Sequence, residues 1–161
     1  MISRGRRPGS GGPRRGRGQA LVEFALVAPV FFLAFFAILE AGRFMFYYES
    51  LNNATREGAR YAIVHGANTL GCSSGPAAPG TTSCDPTGAK VVKQVRDSAF
   101  GIVGAAITVT PMWFENDGTP GNNGRGETVK VTATYTYASL IPIVPLPQIS
   151  VEAESSLVVN N

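Results

Sequence analysis

The sequence is poor in side chains that do chemistry. It has one histidine, His65, two cysteines and one tryptophan, and 16% of its 161 residues are charged. A closed zinc site takes four ligands, and His65 stands outside any plausible Cys/His set. No nucleophile lies beside a general base, and no paired carboxylates sit on a recognisable scaffold. The chain therefore reads as a non-enzyme that needs no metal and no cofactor. Acidic residues are absent from the first 22 positions. That stretch holds Arg4, Arg6, Arg7, Arg14, Arg15 and Arg17, a charge of +6, whereas the remainder sets eight Lys and Arg against eleven Asp and Glu, a charge of −3. A basic tail on a mildly acidic body is a directional arrangement. The tail is Arg, Gly and Pro, too polar to bury a core, and is expected to be disordered in water. It also lacks the interleaved aromatics on which an RNA-binding arm stacks bases, so no nucleic-acid partner is expected.

Long apolar runs are scarce too, with one exception. Over Ala20–Leu39 every residue but Glu23 is apolar. Twenty residues at helical rise reach about 30 Å, the hydrocarbon thickness of a bilayer. Thirteen of them are Leu, Ile, Val or Phe, together worth about −6 kcal/mol of insertion free energy, against a cost of up to about 3 kcal/mol for one carboxylate at mid-bilayer. Insertion wins. A secretory signal has a shorter apolar core and a small-residue cleavage site, which Glu40-Ala41-Gly42-Arg43 does not supply. The remaining residues are too polar and Gly-rich to wrap such a rod as a buried helix. The six arginines before the run keep the tail cytoplasmic by the positive-inside rule and send the rest of the chain out. The paired arginines Arg6-Arg7 and Arg14-Arg15 are not followed closely by a hydrophobic residue, as a twin-arginine export signal is. Pro29 removes a backbone donor in mid-span, where a kink or local loosening is expected. Ala34, Ala37 and Ala41 recur at helical spacings that allow close helix contact.

An acid within an apolar span is a functional candidate. Glu23 stands five residues after Gly18, which closes the basic tail. This spacing resembles the processing site of type IV pilins. The resemblance implies cleavage by a prepilin peptidase between Gly18 and Gln19, with Glu23 as the fifth mature residue. The freed α-ammonium then neutralises a neighbouring subunit's carboxylate inside an apolar bundle. Gln19 departs from the usual aromatic after the scissile bond, and an N-terminal Gln can cyclise and lose its charge. The wider stretch resembles the TadE-like family of tight-adherence pilus systems. Its carriers are Gly18, Val22-Glu23-Phe24-Ala25-Leu26, Pro29, Glu40 with Gly42, and Ala54-Thr55-Arg56-Glu57-Gly58-Ala59-Arg60. The resemblance implies a single-pass protein of the bacterial cytoplasmic membrane, acting as a minor pseudopilin or in pilus assembly. Its partners would be lipid, other pilus subunits and the assembly machinery. The competing reading is an unprocessed membrane-tethered binding module.

The expected architecture is α+β and pilin-like, in four parts. They are a basic leader over 1–18, a transmembrane helix over 19–40, an amphipathic extension over 41–65 and an extracytoplasmic head over 66–161. In the extension Phe44, Tyr47, Tyr48, Leu51, Ala54, Thr55, Gly58, Tyr61 and Ala62 recur at three- and four-residue steps. Glu40, Arg43, Glu49, Arg56, Glu57 and Arg60 are expected on the other face, and His65 ends or caps the helix. Gly66–Gly88 reads as a loop. Cys72 and Cys84, both within it, should form a disulfide outside the cytoplasm, worth about 3 kcal/mol in the chain-entropy model. A second helix is expected over Ala89–Gly101. Strands are expected over Ala106–Phe114, Glu127–Tyr137 and Ile149–Val159, in a three- to four-stranded antiparallel sheet with one apolar face. Asn116–Gly126 reads as a hairpin loop, a reading favoured over calcium ligation by Glu115, Asp117, Asn122 and Asn123. Ser139–Gln148 reads as a proline-spaced apolar loop.

Overall fold

The computed structural model describes residues 16–139 and 148–160. Most of the expected leader (residues 1–15) and of the proline-spaced loop (residues 140–147) lies outside them. The described elements are α1 (Gly16–Val64), α2 (Ala89–Ser98), a 3₁₀ turn over Gly104–Ala106, β1 (Ile107–Phe114), β2 (Thr128–Tyr137) and β3 (Ile149–Val158). The layout is the expected α+β, pilin-like one, and the described strands number three. Internal contacts divide the chain into Met1–Leu39 and Glu40–Asn161.

In the first unit α1 begins at Gly16, so Gly18 falls inside its first turn. Pro29 lies within α1 without ending it. The side chains from Gln19 to Leu39 are exposed, Ala28 alone being half-covered.

In the second unit the strands run antiparallel in the order β1-β2-β3. Register places Trp113 opposite Val129, Ala133 between Val109 and Ala153, and Tyr137 opposite Ile149. Side chains alternate across a strand, so the odd-numbered residues of all three strands share one face. Ile107, Trp113, Val129, Val131, Ala133, Tyr137, Val151 and Ala153 are buried there. The even-numbered face is threonine-rich and carries the Lys130–Glu154 ion pair at 2.7 Å.

Over the apolar face, α1 lays Leu51, Ala54, Ala59 and Ala62, and α2 lays Val91 and Val95, into a single core with the sheet. Each large apolar side chain so buried contributes about 1.5–3 kcal/mol. The helices approach closely at Gly58, where a Cβ would strike Val95 Cγ2. The buried Thr55 returns its hydroxyl to the Leu51 carbonyl at 2.7 Å, so it enters the core without an unpaired donor.

α2 ends at Ser98, earlier than the expected Gly101, because Ala99 leaves helical geometry at φ −78°, ψ 88°. Its helical spacing continues only as far as Ile102, which still reaches the core from the following turn. β1 begins one residue late because Ala106 closes the 3₁₀ turn.

The Gly66–Gly88 loop is closed by the Cys72–Cys84 disulfide and built around two buried polar residues. Asp85 accepts from the Ala89 and Lys90 amides, both at 2.8 Å, and from the Ser74 hydroxyl at 3.2 Å. Its carboxylate thereby satisfies the first donors of α2 and faces the positive end of that helix. Asn123, from the loop between β1 and β2, donates to the Ser74 carbonyl at 3.1 Å and accepts from the Ala78 amide at 3.3 Å. Trp113 lies against Gly75 and Gly88, both at positive φ. A Cβ at Gly88 would come within 2.6 Å of the indole, and one at Gly75 would come closer still.

Candidate functional site

The surface that sets this chain apart is the first half of α1. It is the one described helix long and apolar enough to cross a membrane, and its most apolar stretch is not covered by the protein. Leu21, Phe24, Leu26, Val30, Leu33 and Ile38 are all largely exposed. Left in water, such a surface would be strongly unfavourable. This is the mark of a single-pass membrane protein.

The surface is also two-sided. At about 100° per residue, Gln19, Glu23, Ala34, Ala37 and Ala41 fall on one face of α1. Of the predicted processing and packing residues, Gly18 and Pro29 face elsewhere. On the other side Phe31, Phe32, Phe35 and Phe36 form a ladder, with ring centroids 5.7–6.4 Å apart. Small residues let a second helix approach closely, while bulky rings suit lipid. Glu23 stands exposed at the start of the small-residue face. Gly18 is open as well, with nothing near the position of a Cβ.

At the foot of the second unit lies a polar cluster that sequence periodicity misplaces. Glu40 and Arg43 are expected on the outward face of α1, yet they pack against the end of β2. The Tyr137 hydroxyl donates to Glu40 Oε1 at 2.8 Å, and Arg43 approaches Glu40 Oε2 at 3.3 Å and the Tyr47 hydroxyl at 3.4 Å. The guanidinium lies 5.5 Å from the Tyr47 ring centre and 5.6 Å from that of Tyr137, where the negative faces of the rings attract it. Phe44 closes the group edge-on against Tyr137 at 5.5 Å. The physical reason for the correction is pairing. A half-buried carboxylate is tolerable where a hydroxyl and a cation satisfy it, and that hydroxyl comes from a strand 97 residues later.

Burial of Tyr137, with its donation to Glu40, pushes the phenol up to about 12. The folded chain holds this proton more tightly than the unfolded chain, whose tyrosine titrates near about 10. The stabilisation is therefore complete below pH 10 and is lost as pH rises toward 12. Tyr137→Phe should flatten that part of the pH–stability curve and cost about 1 kcal/mol at neutral pH, read by chemical denaturation in detergent. An unchanged alkaline slope would contradict the assignment.

The remaining candidates are accounted for structurally. His65 follows the last residue of α1, places Nδ1 2.9 Å from the Tyr61 carbonyl and stacks on the Tyr61 ring. Arg60 pairs with Glu57 on the surface at 3.9 Å. Of the residues weighed for calcium, Asn123 is fully buried and engaged. Asp117 takes both the hydroxyl and the amide of Thr119, which holds its carboxyl below the usual range. Asp85 is the structural residue that sequence reasoning missed. The signal available was an Asp four residues before a helix start, followed by Pro and Gly.

No curated protein and no solved structure matches the chain at a significant level. The family model described as TadE-like protein matches residues 18–60. This is the stretch that opens at Gly18, carries Glu23 on its small-residue face and ends in the part of α1 that walls the core. Across those residues the chain is similar to the TadE-like family.

Proposed function

We propose that this chain is a minor pseudopilin-type subunit that serves assembly of a Tad/Flp pilus and acts structurally, not as a catalyst. The observation that carries the reading is an uncovered apolar helix with one acid on its small-residue face, within the stretch matched by the TadE-like family. In this reading α1 crosses the bacterial cytoplasmic membrane with the arginine-rich end inside and Glu40–Asn161 outside. A prepilin peptidase cuts between Gly18 and Gln19. That bond lies in the first turn of α1, where helix ends open readily. The new ammonium on Gln19 pairs with Glu23 of an adjoining subunit, and Ala34, Ala37 and Ala41 allow the helices to approach. Disulfide closure of Cys72 and Cys84 agrees with an oxidising compartment.

N-terminal sequencing of membrane-extracted protein from cells with and without prepilin peptidase tests this reading. The mature chain should begin at Gln19 only when the peptidase is present. Glu23→Gln should leave membrane insertion intact while reducing recovery of the subunit with its pilus partners by about tenfold or more, the equivalent of one lost buried charge pairing. Retention of the arginine tail in the presence of the peptidase would favour an unprocessed membrane-tethered binding module instead.

A further inference from the structure

The two edges of the sheet are finished differently. At β1 the outward backbone groups are blunted. Pro111 has no N–H to offer in mid-strand. The Arg96 guanidinium donates to the Ile107 carbonyl at 3.2 and 3.3 Å, and the Gly121 amide donates to the Trp113 carbonyl at 2.8 Å. Proline and covering groups keep a strand edge from pairing with another chain. β3 contains no proline, and among the described residues nothing comparable covers it.

The end of β3 shows which of its backbone groups face outward. The Val159 amide donates to the Glu127 carbonyl, and the Val159 carbonyl accepts from the Gly126 amide, both at 2.8 Å. Val159 thus turns its bonding groups toward β2. These groups alternate sides along a strand. The amides and carbonyls of Ser150, Glu152, Glu154, Ser156 and Val158 therefore turn away from β2, and β3 is the last strand in the sheet order. The side chains of all five are exposed. The apolar face is also unfinished along this edge, where Ile149 is 39% exposed and Leu157 is half-buried.

Charge selects the occupant. Glu152 and Glu154 stand two apart on the polar face of β3. Among the described residues Glu154 pairs with Lys130, and Glu152 meets no cation. A second copy paired antiparallel about the middle of β3 would set Glu152 and Glu154 of the two copies opposite one another, a repulsive arrangement. A strand with lysine or arginine at alternate positions suits these acids instead. Apolar residues between its cations would continue the face of Ile149, Val151 and Leu157.

We propose that the outer edge of β3 accepts an antiparallel strand of another protein, in which basic residues beside Glu152 and Glu154 alternate with apolar residues on the core side. The site lies wholly within Glu40–Asn161 and does not depend on the pilus reading. Full-length protein in neutral detergent is titrated with a labelled peptide of alternating valine and lysine, matched to the ten residues of β3, and binding is read by fluorescence anisotropy. Binding should saturate below about 1 mM. In an antiparallel pair, the residue opposite an outward-bonding residue of β3 points its own N–H at that edge. N-methylation of the lysine amides should therefore weaken binding about tenfold or more, and N-methylation of the valine amides less than about twofold. A valine–glutamate peptide should bind about tenfold or more weakly. Hydrogen exchange should slow at the amides of Ser150, Glu152, Glu154 and Ser156 when the valine–lysine peptide is added, and should not change at Val151 and Ala153. Absence of saturable binding, as when the chain's own residues cover the edge, overturns the proposal. So does a loss on methylation at valine instead of lysine, equal binding of the glutamate peptide, or unchanged exchange at the even-numbered amides.

Discussion

Trp113→Ala should lower the stability of the Glu40–Asn161 unit by about 3–5 kcal/mol, the cost of deleting a large buried aromatic side chain. Small domains have only about 5–15 kcal/mol in total, so the variant should be close to unfolding under mild conditions. The site explains the size of the effect. The indole fills a slot formed by Gly75 and Gly88, one on each side of the disulfide-closed loop's Asp85 turn, and neither glycine leaves room for a Cβ. Among the described residues its Nε1 has no hydrogen-bond partner, so shape and apolar contact hold it. Gly75→Ala should act through the same contact and cost about 1–3 kcal/mol by overpacking, with added strain because Gly75 sits at φ 99°. The two losses should be less than additive, since each empties or distorts one slot. Denaturant midpoints of the single and double variants measure this. Full additivity would show that Trp113 and Gly75 do not share a contact.

The second large effect is expected at Gly58. In an exposed helix, Gly→Ala is stabilising by about 1 kcal/mol. Here the sign reverses, because the new methyl group runs into Val95 Cγ2 at the meeting of α1 and α2. Valine is stiff about χ1 and cannot swing away cheaply. Gly58→Ala should therefore destabilise by about 1–3 kcal/mol, and Gly58→Val by more. Val95→Ala creates space at the same place. The pair Gly58→Ala with Val95→Ala should recover much of the loss, with a coupling energy of about 1 kcal/mol or more. A Gly58→Ala chain more stable than its parent would show that the helices do not meet there.

These two contacts mark the boundary of what the sequence discloses. The alternation of Val129, Val131, Ala133 and Tyr137 is a local signal, and the sheet follows it to within a residue at each strand end. The step of three and four from Leu51 to Ala62 is local too, and it identifies the buried stripe of α1. Glu40 and Arg43 were misplaced because a helical period assigns polar residues to water by default. It carries no information about a tyrosine hydroxyl that arrives from β2. Asn123 looked like a loop polar residue for the same reason. Its partners, Ser74 and Ala78, lie 49 and 45 positions earlier. The span was legible because its character depends on composition along one helix. The two faces of that helix emerged once Gly16–Val64 was a single element with one phase.

The double duty of α1 limits how the outer part of the protein can be separated from its anchor. Leu51, Ala54, Ala59 and Ala62 are fully enclosed, and they belong to the helix, not to the chain after it. A soluble fragment that starts at Gly66 would leave Val91, Val95 and Val131 facing solvent and should aggregate. One that starts at Glu40 retains the whole wall, together with the carboxylate that receives Tyr137. By the same logic, a protease that clips anywhere from Leu51 to Ala62 would not shed an intact ectodomain, because the cut destroys the fold it releases.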